Sequence, residues 1–185
     1  MRAFRHAKLY KHNLQAKCDS MIYSFSDSVV HLFYDPVLWS EDNQITAEYI
    51  QILTKENKPH SIELKKSAFI ASQEDSLRFN QIKGANMTGY FNNNKLVKID
   101  VHKDGESIYF PVDNGELIGI NVAECSDMKI YLSENRVQRI LFLKKPAATL
   151  YPLEDESKVN SKLSGFEWFE KHRPRNKNDI FRWID

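Results

Sequence analysis

MTGYFNNNKLVKIDV, residues 87–101, is a polar turn set between two arms of alternating character. In the second arm Ile99 and Val101 alternate with Lys98, Asp100 and His102, the period of a strand with one face buried. The asparagine-rich centre supplies residues that tolerate the left-handed backbone of a tight hairpin. The same phrase recurs without a gap as IQILTKENKPHSIEL (50–64) and MKIYLSENRVQRILF (128–142). Asn57-Lys58, Asn94-Lys95 and Asn135-Arg136 share one column, Ile62, Ile99 and Ile140 another, and Leu64, Val101 and Phe142 a third. Repetition at this spacing predicts an array of stacked hairpins.

A fainter copy comes first. Ala16-Lys17-Cys18-Asp19-Ser20-Met21 matches Ala123-Glu124-Cys125-Ser126-Asp127-Met128, which puts both cysteines in one repeat column. Shared position favours packing over redox chemistry, and two buried free thiols are expected ahead of a bridge. The units close on Asp35-Pro36-Val37-Leu38-Trp39, Ser67-Ala68-Phe69-Ile70 and Lys145-Pro146-Ala147-Ala148-Thr149-Leu150, each read as a short strand. Asp104-Gly105 and Asp113-Asn114-Gly115 read as further turns, around an inserted hairpin with strands 107–112 and 116–122. The fold class is therefore all-β, a repeat-built antiparallel sheet folded on itself over residues 1–152. Residues 153–185 read as a charged linker and an aromatic tail that caps the last repeat, with Phe166, Trp168, Phe169, Phe181 and Trp183 as candidate partner-binding residues.

Composition narrows the function. The 26 Lys+Arg and 25 Asp+Glu leave a formal charge of +1, so no overall field gathers a polyanion and nucleic acid is not an expected partner. No apolar run reaches the length of a bilayer span. The six histidines (6, 12, 31, 60, 102 and 172) include no pair at metal-ligand spacing, and His60 and His102 fall on the polar face of the repeat. Neither a phosphate-cradling glycine loop nor a serine elbow is present, so no cofactor is implied and an enzyme is not expected.

The segments Ala16-Lys17-Cys18-Asp19-Ser20-Met21-Ile22-Tyr23, Asn43-Gln44-Ile45-Thr46-Ala47, Asn80-Gln81-Ile82-Lys83-Gly84 and Ala123-Glu124-Cys125-Ser126-Asp127 look like variants of one element. In them the chain resembles the OstA-like (organic solvent tolerance protein, amino-terminal domain) family, which includes the periplasmic bridge of lipopolysaccharide transport. Asp35-Pro36-Val37-Leu38-Trp39-Ser40, Asn86-Met87-Thr88-Gly89, Gly105-Glu106-Ser107-Ile108-Tyr109 and the ending Gly165-Phe166-Glu167-Trp168 with Arg173-Pro174 are similar to the longer OstA-like proteins of Bacteroidetes-type bacteria. The resemblance implies a β-taco open along one seam, whose interior holds the acyl chains of lipid A and whose edge strands stack on envelope transport proteins or on further copies. It implies a periplasmic location. The start carries no secretory signal and begins inside a repeat, as in the carboxy-terminal part of a longer secreted protein.

Residue types and resemblance together nominate Ile52, Ile62, Leu64, Phe91, Ile99, Val101, Ile130, Leu132, Ile140 and Phe142 as a continuous apolar lining. Two readings stay open. An unfilled slot along the sheet means a lipid carrier or bridge; a filled one means a scaffold that binds its partner through edge strands or the aromatic tail.

Overall fold

A computed structural model describes residues 1–182 other than 135. The strands in chain order are β1 (Arg2–Ala3), β2 (Ala7–Lys11), β3 (Leu14–Cys18), β4 (Ser20–Ser24), β5 (Val29–Phe33), β6 (Val37–Ser40), β7 (Asn43–Thr46) and β8 (Tyr49–Lys55). They continue as β9 (Lys58–Gln73), β10 (Phe79–Asn92), β11 (Lys95–Tyr109), β12 (Val112–Asp113), β13 (Glu116–Leu117), β14 (Ile120–Ser133), β15 (Arg136–Leu143) and β16 (Ala147–Tyr151). Fourteen of these make one antiparallel sheet, and β12 pairs only with β13.

The repeat turns sit where the asparagines predict them. Glu56 and Asn57 join β8 to β9, and Asn93 and Asn94 join β10 to β11, all with positive φ as a type I′ hairpin requires. Glu134 opens the third turn; its Asn135 lies outside the described residues.

A second set of positive-φ pairs does something else. Arg5-His6, Tyr34-Asp35, Lys66-Ser67, Lys103-Asp104 and Lys144-Lys145 are left-handed at both residues, and each lies within or between strands that run on in one direction. They form a crease that divides the sheet into two leaves. The first leaf runs β1, β4, β5, β8, then one half each of β9, β10, β11 and β14, and ends at β15. The second runs β2, β3, β6, β7, then the other halves of the long strands, and ends at β16. Hydrogen bonds across the crease repeat as well: the Asp19, Glu48 and Ser126 amides donate to the carbonyls of Tyr34, Lys66 and Lys144 at 3.0–3.1 Å. This corrects two sequence expectations. Asp104-Gly105 bends a continuing strand and is no hairpin turn, and the inserted hairpin shrinks to β12–β13 because residues 107–109 and 120–122 belong to the long strands β11 and β14.

Register turns the repeat columns into rows across the first leaf. Ala3, Met21, Leu32, Ile50, Leu64, Met87, Val101, Met128 and Phe142 are successive cross-strand partners. So are Val30, Ile52, Ile62, Gly89, Ile99, Ile130 and Ile140. The second leaf answers with Leu9, Ala16, Leu38, Ile45, Ile70, Ile82, Ser107 and Ala123. Buried members of both leaves make one core cluster, so the inner faces close on each other.

Where the leaves meet at the crease there is least room, and the second leaf there carries small residues: Ala7, Cys18, Ala47, Ala68, Gly84, Gly105 and Cys125. A Cβ on Gly84 would lie 2.4 Å from Cγ1 of Val101, and one on Gly105 would lie 3.0 Å from the Met128 methyl. Both neighbours belong to the opposite leaf, so these glycines are dictated by close approach. Gly84→Val should therefore destabilise the fold by about 1–3 kcal/mol through overpacking, read as a fall in urea midpoint. An unchanged midpoint would mean that the leaves do not meet there.

Candidate functional site: the space between the leaves and the strap outside

The ten nominated lining residues all lie on the inner face of the first leaf, and they divide by depth. Ile52, Ile62, Leu64, Val101 and Ile130 are buried in the packed core, and Phe91, beside the hairpin turns, is buried with them. Ile99, Leu132 and Ile140 instead reach a cavity of about 500 Å³ that opens away from the crease, towards the end of the sheet formed by β14 and β15. Phe142 is half-buried on β15. From the second leaf Ile70, Ile82 and Ser107 face the same space, and Asn43, Ser72, Glu74, Tyr109, Glu134 and Arg136 make its surround polar. The interior is thus a wedge: small residues at the crease, packed isoleucines in the middle, and a partly polar mouth.

Sequence reasoning missed the second-leaf lining. The signal was present in Asn43-Gln44-Ile45 and Asn80-Gln81-Ile82, where the isoleucine after each glutamine points inward. Those glutamines point the other way, onto the outer face, where they hold the carboxy-terminal segment.

That segment, residues 153–182, contains three short 3-10 turns and runs back across the outer face of the second leaf. Its start packs Val159 and Leu163 on the last unit, against Ile120, Val122 and Tyr151, and from there it runs on as a strap over several units. Gln15, Trp39, Gln44, Ala71, Gln81 and Ile108 stand in one transverse row beneath it. Gln81 donates to the Ser161 carbonyl at 2.8 Å and accepts the Leu163 amide at 2.9 Å; Gln44 donates to Glu167 at 2.7 Å and accepts Phe169 at 2.6 Å. Gln15 accepts Nε of Arg173 at 2.8 Å. A primary amide offers both a donor and an acceptor, so each of the first two glutamines serves the strap as a neighbouring strand would. At the strap's start Glu156 takes a two-pronged contact from Arg78, at 2.8–3.0 Å.

The aromatic candidates are mostly spent on this contact. Phe166 packs on Phe69 and Phe79 with ring centres 6.2 and 5.0 Å apart, Trp168 packs on Phe79 at 5.0 Å, and the Phe169 ring lies 4.9 Å from the Lys17 ammonium. Phe181 is 77% exposed, and Trp183 lies outside the described residues.

Cys18 and Cys125 are free, buried, and hydrogen-bonded alike to the carbonyl two residues on, at 3.2 and 3.1 Å. Burial pushes the Cys18 thiol up to about 11 and the Cys125 thiol in the same direction. Neither has the lowered pKa of a nucleophilic cysteine. Among the described residues no group of three or more His, Cys, Asp or Glu side chains could hold a metal, and no helix is long and apolar enough to cross a membrane.

No protein-family model matches the chain, and no curated protein matches it. A solved structure does: LptH from Pseudomonas aeruginosa, described as the LptA-homologous periplasmic component of the conserved lipopolysaccharide transport device. It superposes with a TM-score of 0.59 over 75% of this chain and 95% of its own, at 10% identity. The architecture is therefore an LptA-like folded sheet, the fold that the OstA-like resemblance implies.

Two measurements check this site. Gln44→Ala leaves the Phe169 amide and the Glu167 carbonyl without their partner, so Phe169 should lose hydrogen-exchange protection while Ile99 keeps its own, at about 1 kcal/mol of stability. Equal protection in the variant would show that the glutamine does not hold the strap. Cys18 binds its proton more tightly when folded, so its stabilising contribution is full below about 9 and disappears as pH rises towards about 11. A urea midpoint flat across that window would contradict the burial of the thiol.

Proposed function

We propose that this protein is a non-enzymatic bridge or carrier module in lipopolysaccharide transport through the periplasm, lodging acyl chains of lipid A between its leaves. The carrying observation is the mouth: an LptA-like sheet whose inner isoleucine row ends, at Ile99, Leu132 and Ile140, on an open cavity. The edges favour the same reading. Among the described residues β1 at one end, and β15 and β16 at the other, each pair with a single strand, so backbone donors and acceptors are left for a neighbouring module or a second copy, while the last turn of the strap lies against β2.

Magnitudes decide how cargo is held. An alkyl chain of about ten methylenes gains ~8 kcal/mol on burial at about 0.8 kcal/mol each, and association alone consumes an estimated 4–15 kcal/mol. One chain in the cavity as it stands gains little net, so firm carriage calls for several chains and for leaves that part at the mouth. Ile140 and Val137 are only partly buried there, whereas Leu64, Met87, Val101 and Met128 on the crease side are buried. That packed side, with the free edge of β16, also supports the scaffold reading; the docked strap removes Phe166, Trp168 and Phe169 as its free capture surface.

A photo-crosslinking residue placed at Leu132 or Ile140 should form lipopolysaccharide adducts that free lipid A suppresses, whereas the same residue at the exposed Phe181 should not. No adduct from the mouth positions in a folded, lipopolysaccharide-saturated sample would favour the scaffold.

A further inference from the structure

The cavity at the mouth has two unlike walls. On the first leaf Ile99, Leu132 and Ile140 present hydrocarbon alone. On the second leaf the inner row runs Ile45, Ile70, Ile82, Ser107, Ala123, so one hydroxyl interrupts an otherwise apolar series. Ser107 lines the cavity and is only 1% exposed, and among the described residues its Oγ has no hydrogen-bond partner.

A buried hydroxyl left without a partner costs stability that an alanine at the same place would not. The asparagines further towards the mouth are differently placed. Asn80 accepts the Phe110 amide at 2.8 Å and donates to Glu74 at 2.9 Å, and Asn43 donates to the Ser40 carbonyl at 3.4 Å. Those amides serve the protein itself; the Ser107 hydroxyl serves nothing in it.

Tyr109 lines the same space two residues on, because positions i and i+2 of a strand share a face, roughly 7 Å apart. Burial, with the charge of Glu74 adding to it, raises the Tyr109 hydroxyl above the usual tyrosine range, so it stays a donor at neutral pH. The lining carries one fixed cation, Arg136, against Asp42, Glu74 and Glu134, and so offers an anionic group no net attraction. What this wall offers a ligand is hydroxyls, opposite a surface suited to an alkyl chain.

We propose that Ser107, assisted by Tyr109, is the specificity-determining residue of the cavity: it donates to the carbonyl through which an acyl chain is joined, as an amide or ester, to an uncharged head. The chain itself lies on the isoleucines opposite. The cavity thereby selects linked acyl chains over ether-linked alkyl chains and over free fatty acids. This rests on the acyl-chain reading of the cavity and adds to it the chemistry of the linkage.

The test titrates the intact, methyl-labelled chain with probes of equal chain length, each below its micellar concentration. Decanoyl-N-methylglucamide has an uncharged amide carbonyl, decyl glucoside has no carbonyl, and decanoate has a charged one. Saturating shifts of the Ile99 and Ile140 methyl resonances report occupancy. The glucamide should bind about tenfold more tightly than either other probe, a difference of ~1.4 kcal/mol. Ser107→Ala should remove most of that preference without lowering the urea midpoint, since the hydroxyl it deletes has no partner in the free protein. Adding Tyr109→Phe should abolish the remainder. Saturation by none of the probes would overturn the acyl reading and this one with it. Equal affinity of the parent for the glucamide and either other probe, a preference that survives in the double variant, or a lowered midpoint in Ser107→Ala would overturn the assignment to Ser107 and leave the acyl cavity standing.

Discussion

The crease is the constraint on which the rest of the structure depends. At Lys66-Ser67, Lys103-Asp104 and Lys144-Lys145 two consecutive residues with side chains adopt the left-handed backbone, which costs roughly 1–2 kcal/mol per residue. Such a conformation persists only where the surroundings enforce it. What enforces it is the closing of the leaves: each bend lets one long strand contribute its first half to one leaf and its second half to the other, so that two apolar faces bury each other. The isoleucine row of the first leaf and the Leu38-Ile45-Ile70 row of the second are useful to one another only because the crease turns them face to face.

From that geometry the character of the interior follows by position. Close to the crease the second leaf carries small residues, Gly84, Gly105, Ala7, Ala47, Ala68 and the two cysteines. Further out the gap widens to take isoleucine against isoleucine, and beyond Ile99 and Leu132 it outgrows the side chains present. A cavity at the mouth is thus what a wedge of fixed angle leaves over. The outer face of the second leaf is buried by separate means. Trp39 is fully buried although it points away from the core, because the strap covers it, and a row of glutamines lets an irregular segment satisfy its backbone without joining the sheet.

Much of the fold was legible in the sequence, and the limits have physical reasons. Asparagines announced the hairpin turns because positive φ there is local, and Ile62, Ile99 and Ile140 announced a shared row because side chains alternate with period two. The crease was not legible, since lysine and serine have no preference for left-handed backbone and are held there by tertiary packing. Asp104-Gly105 looked like a hairpin turn for the converse reason: its glycine is required by the approach of Met128, a contact distant in sequence. Of the candidate site, the residues nominated on the first leaf belong to or pack on the core cluster, and their division into filled core and open mouth depends on the angle between leaves. The strap's aromatics read as candidates for binding a partner, and their packing on Phe69, Phe79 and Lys17 was hidden because the glutamines that hold the strap's backbone read as ordinary polar strand positions.

The most direct test of the account is whether the two leaves close on each other in solution. Methyl-labelled protein should give nuclear Overhauser contacts linking Ile50, Ile62 and Ile130 of the first leaf into one network with Ile45 of the second, all four shielded from a soluble paramagnetic agent. Isoleucine signals bleached by that agent, or two separate networks with no contact between leaves, would contradict it.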